Sequence, residues 1–138
     1  MSGWSLAEYQ GDDGGAFVVR ARALPPADER ARFPEAVWLS WPFGDVSEAE
    51  EDAIVDEMMR FEQVVYDAAE AGGWGLLVAV VTTGRGREWL FHAANATEFL
   101  GELRALTANQ PWPALDARAF DDPSWKAARE LSPAARLH

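Results

Sequence analysis

Residues 74–94, WGLLVAVVTTGRGREWLFHAA, decide the fold. Leu76 to Val81 is an unbroken apolar run rich in β-branched side chains, too short for a typical helix and preceded by Gly72, Gly73 and Gly75, so it reads as a strand. Gly84-Arg85-Gly86 supplies two residues that tolerate positive φ, as a tight reversal requires, and Arg87 to Ala93 resumes an extended pattern. The stretch is therefore a short-loop hairpin. Simple alternation puts Leu76, Val78 and Val80 on one side of its first strand and Leu77, Ala79 and Val81 on the other. Both sets are apolar, so this strand is expected to be covered on both faces. In the second strand Trp89 and Phe91 form the more apolar set and should face the helices, leaving Glu88, Leu90 and His92 on the opposite sheet face.

Outward from the hairpin, Ser47 and Glu50 form a capping box that opens a helix running to about Ala71 and stopping at Gly72-Gly73. Its apolar stripe is Ile54, Met58, Phe61, Val65 and Ala68 or Ala69. Before it, Glu35 to Phe43 alternates Val37, Leu39, Trp41 and Phe43 inward with Trp38 and Ser40 outward. After the hairpin, Asn95 to Glu98 opens a second helix, and capping explains the Asn95-Ala96-Thr97 sequon without invoking glycosylation. Leu115 to Phe120 is a last short strand, and Asp122-Pro123-Ser124-Trp125 starts a terminal helical turn with Pro at its first position.

The order from Glu35 is strand, helix, strand, strand, helix, strand. This predicts an α+β fold, the ferredoxin-like split βαββαβ, with an extra N-terminal β-hairpin and a short C-terminal helix. In that topology Leu76 to Val81 lies at a sheet edge, so something must cover it. The N-terminal hairpin, Ser5 to Gln10 and Ala16 to Ala23, is one candidate and a dimer partner is the other. Gly11-Asp12-Asp13-Gly14-Gly15 reads as its turn, because the alternating ligands of a calcium loop are missing. Leu24 to Pro34, with Pro25, Pro26 and Pro34, reads as a surface connection. The whole of 1–138 is expected to be one domain: hairpin and connection over 1–34, core over 35–121, helical tail over 122–138.

The 138 residues are 49% apolar, with seven Trp and seven Phe, which is ample for one core. The absence of Cys excludes disulfides and thiolate metal sites, no segment approaches a membrane span, and the N-terminus lacks the regions of a signal peptide. A cytoplasmic protein is expected. Of the net charge of −11, nine units fall between Asp45 and Glu70, where ten acids face one base, Arg60. Nucleic acid is a poor partner for such a surface.

VVTTGRGREWLFH at Val80 to His92, FPEAVWLS at Phe33 to Ser40, PFGDVSEAEEDAI at Pro42 to Ile54 and DPSWKAARELSP at Asp122 to Pro133 together resemble the bacterial domain-of-unknown-function family 695. His92 stands where the resemblance leads one to expect Tyr. Members sometimes adjoin a domain similar to the regulator B of ribonuclease E, an acidic, non-catalytic inhibitor. The family has no established activity, so the resemblance implies a fold more than a function.

Arg85 to His92 partly mimics the RNA-stacking signature of the RRM, with Trp38 at the second stacking position, but Arg87 and Glu88 replace its expected residues. Alternatively Glu88 and His92 share a polar pocket with Arg20, Arg22, Trp38 and Arg118, the plainer reading being an ion pair between Glu88 and an Arg. No nucleophile, metal or phosphate-binding motif is present, and no cofactor is implied. Trp125 reads as an anchor for the C-terminal turn. Two classes of function follow: a non-catalytic interaction or regulatory domain using the acidic helix surface Glu50, Asp52, Asp56 and Glu57, or a small-molecule or enzymatic site on the open sheet face. The first is preferred, its partner an unidentified protein, with homodimerisation through a sheet edge or face as a further expectation.

Overall fold

The computed structural model describes residues 3–10 and 15–131, which form an α+β protein with one six-stranded antiparallel sheet and, among the described residues, four helices. The hairpin at its centre is β4 (Leu76–Thr83) and β5 (Gly86–Ala93), closed by Thr83 opposite Gly86. Positive φ falls on Gly86 alone in this turn, at 153°, and a Cβ there would collide with the Trp41 carbonyl oxygen. Glycine is therefore required by the close passage of β3 (Glu35–Pro42), which pairs with β5 from Glu35 opposite Ala93 to Pro42 opposite Gly86.

On the other side of β3 lies β6 (Asp116–Asp121), and on the other side of β4 lies the N-terminal hairpin, β2 (Ala16–Arg22) pairing β4 and β1 (Trp4–Gln10) outermost. The spatial order is β1-β2-β4-β5-β3-β6. The N-terminal hairpin thus occupies the edge that the apolar character of β4 demanded to be covered. Residues 11–14 of its expected turn, and the end of the motif at Ser132 and Pro133, lie outside the described residues.

Helices α2 (Glu48–Gly72) and α3 (Ala96–Thr107) cover one face of the sheet. The expected capping box at Ser47 and Glu50 is formed, and Gly73 ends α2 in the left-handed region at φ 69°. Met58, Phe61 and Val65 of α2 and Phe99 of α3 are buried against Val37, Leu39, Leu77, Val80, Trp89 and Phe91. Burying each such side chain contributes about 1.5 to 3 kcal/mol, far more than the like-charge repulsion along the outer face of α2 removes. The second face is covered by α4 (Lys126–Leu131) and the preceding Trp125, packed on Val19, Ala21, Ala36, Val78, Ala79 and Leu90.

Three expectations are corrected here. The register of β4 against β5 shifts between Leu77 and Ala79, so the faces are Leu77 and Val80 toward α2, and Leu76, Val78, Ala79 and Val81 toward Trp125. A bulge inserts one unpaired residue and breaks the alternation that an all-apolar strand cannot reveal. The connection after β2 contains a one-turn helix, α1 (Ala27–Ala31), begun by Pro26. Helix α4 begins at Lys126 and not at Pro123, because Trp125 adopts φ 58° and interrupts the turn, while the Asp122 carboxylate accepts from the Lys126 and Ala127 amides.

Candidate functional site

The six residues expected as one pocket are divided between the two faces of the sheet. Register decides this: Arg20 lies opposite Val80, which faces α2, so Arg20 and Arg22 project toward that helix and away from Glu88 and His92. Arg20 pairs with Glu62, and Arg22 reaches Glu70 and the Tyr66 hydroxyl. Both guanidinium groups also lie over Trp4, at 5.6 and 5.5 Å from its ring centroid.

Glu62 is the hub of this cluster. Besides Arg20 it accepts from Trp89 Nε1 at 2.9 Å and stands 3.6 Å from Arg87. Burial pulls the Arg87 guanidinium below its ordinary value, an effect that Glu62 opposes and Arg20 reinforces. Between Trp4, Arg20, Glu62, Tyr66 and Leu77 lies a cleft of about 330 Å³. Sequence reading counted Glu62 only as one acid of the helix. Its position next to Phe61 on the apolar stripe was the signal that it is half-buried.

On the opposite face, Trp38, Leu90 and His92 do share a side, as expected, but α4 and Trp125 cover part of it. His92 is fully buried and stacked on Trp125, ring centroids 4.0 Å apart. Its Nδ1 is 2.8 Å from the Phe33 carbonyl, which can only accept, so Nδ1 carries a proton. Nε2 is 3.3 Å from Asp122 Oδ2 but is not aligned for a hydrogen bond. Burial holds the His92 pKa below its ordinary value, outweighing the Phe33 carbonyl and the Asp122 charge, which favour the protonated ring. Trp125 is also fully buried, and its Nε1 donates to the carbonyls of Arg30 and Phe33. These contacts make a clasp that fastens Trp125 and the following α4 to the sheet.

Glu88 is half-buried and accepts from Ser40, its cross-strand neighbour, at 2.9 Å, where an arginine partner was the plainer expectation. Trp38 and Arg118 are opposite one another on β3 and β6 and line a groove of about 710 Å³ at the sheet edge. Among the described residues no three His, Cys, Asp or Glu side chains gather as a metal site, and no helix is long and apolar enough to cross a membrane.

The four acids expected as an interaction surface have different duties. Glu50 closes the capping box, and Glu57 accepts from Trp112 Nε1 at 2.8 Å. Asp52 and Asp56 are exposed. One turn further along the same stripe stands Met59, 57% exposed, which sequence reading passed over.

The fold and these sites define an α+β protein built on one antiparallel sheet and bearing an acidic helical surface. The chain belongs to the family of unknown function DUF695, whose family model matches residues 46–131. No curated protein matches it.

Proposed function

We propose that this is a non-catalytic protein-interaction domain whose docking surface is the solvent face of α2. The observation that carries this reading is Met59, an exposed apolar side chain in line with Asp52, Asp56 and Gln63. Spacings of four, three and four residues put all four on one stripe of the helix. An apolar contact point within a negative field suits a basic partner surface containing an apolar socket, because charge speeds encounter while burial of the thioether holds the complex. In the same reading the segment 35–121 is the ferredoxin-like split βαββαβ, supported by the order β4-β5-β3-β6, and the cysteine-free chain works in the cytoplasm.

The test leaves Glu50 and Glu57 alone, since their hydrogen bonds support the fold. Asp52→Lys, Asp56→Lys and Met59→Ser together should keep the helical circular dichroism, because all three side chains are exposed and the like-charge repulsion between positions 52 and 56 is unchanged in size. Affinity capture from the native cell should recover salt-sensitive partners with the wild type and lose them with the triple variant. Recovery of the same partners by both proteins would overturn the proposal.

A further inference from the structure

The sheet ends at β6, and all six of its residues are exposed. It runs in unbroken register with β3 and has neither proline nor bulge to blunt its free edge, which leaves a row of backbone groups able to pair with another strand. Beside this edge lies the groove formed by Trp38, Arg118, Phe120, Lys126 and Leu131. Phe120 is 41% exposed, and Arg118 has no ion pair among the described residues.

We propose that two copies of this chain join through β6, antiparallel and centred on Ala119, to make one continuous sheet. A twofold axis between antiparallel strands must pass between a residue and its own copy, so few registers exist. Centring on Arg118 sets two guanidinium groups against each other. Centring on Ala117 leaves Phe120 without a neighbour, and centring on Phe120 brings Arg118 against Asp122, which is buried outside the strand. Centring on Ala119 places small residues at the axis, Ala117 opposite Asp121, and Arg118 of each copy opposite Phe120 of the other. Those two side chains point to the α4 face, as Trp38 does, so each copy lays a ring and a guanidinium beside the groove of its partner. At the other edge, the corresponding register of β1 about Ala7 sets the exposed Leu6 opposite Glu8, a poor match. Because the axis is normal to the sheet, both α2 helices come to the same side, and the acidic surface is doubled.

The register is tested by a charge exchange at two exposed positions. Sedimentation velocity should show the wild type passing from monomer to dimer with concentration. Phe120→Arg, which sets like charges opposite, and Arg118→Glu, which removes the guanidinium, should each weaken the dimer by about tenfold or more. The double variant R118E/F120R should recover it, and an equimolar mixture of the two single variants should form a heterodimer. A wild type that stays monomeric at the highest soluble concentration overturns the proposal. So does a dimer indifferent to both substitutions, or one lost on Leu6→Arg, which would place the contact at β1.

Discussion

His92 is held with a carbonyl on one side of its ring and a carboxylate on the other, in a place that water does not reach. Its folded pKa lies below its ordinary value of about 6.5, so between those two values the unfolded chain binds a proton that the folded one refuses. Stability contributed by this residue is therefore complete above about pH 6.5 and falls as the pH drops toward the folded value. His92→Gln should flatten this dependence. Urea unfolding of both proteins between pH 7.5 and 5 measures it, and equal slopes would show that the ring does not titrate differently on folding.

At the scale of elements, β4 has neighbours on both edges and apolar cover on both faces, between β2 and β5 and between α2 and Trp125, as β5 has between β4 and β3. Its amides from Ala79 to Val81 should be among the slowest to exchange, while those of β1 that point away from β2 exchange fast. Rapid exchange throughout β4 would contradict the pairing with the N-terminal hairpin. The covering of β4 was legible because a strand apolar on both sides gains stability only when both sides leave water, and α2 was legible because a cap, a stripe and a terminal glycine agree. What escaped the sequence did so for physical reasons. Alternation fixes which residues of a strand share a face, yet it cannot say which face, so Arg20 and Arg22 were grouped with His92 although β2 turns them toward Glu62 and Glu70 of α2. It also fails at a bulge, as at Val78. The one-turn α1 is shorter than the period needed to recognise a helix. His92 and Trp125 were each noticed, but no local pattern joins residues that meet only through the folding of α4 onto the sheet.

At the scale of the whole molecule, the stretch 46–131 matched by the family should not fold alone. It omits β3, which sits between β5 and β6 and supplies Val37, Leu39 and Trp41 to the core. Without β3, β6 has no partner strand and one face of Trp89 loses its packing. A fragment of 46–131 should show neither a cooperative thermal transition nor dispersed amide resonances, whereas the entire chain shows both. A well-folded fragment would mean that β6 can move over to pair directly with β5.

The same interior placement of β3 has a consequence in time. Its strand is made early, yet Val37 pairs with Phe91 and then with Ala119, so both of its neighbours lie far downstream in the chain. The two hairpins can close locally within microseconds, but the middle of the sheet has to wait for distant segments and for the entropy cost of large loops. During synthesis the backbone edges of β3 therefore stay unpaired until β5 and then β6 have been made. This strand is the natural target for a chaperone and the natural starting point for misassembly, until the last strand arrives.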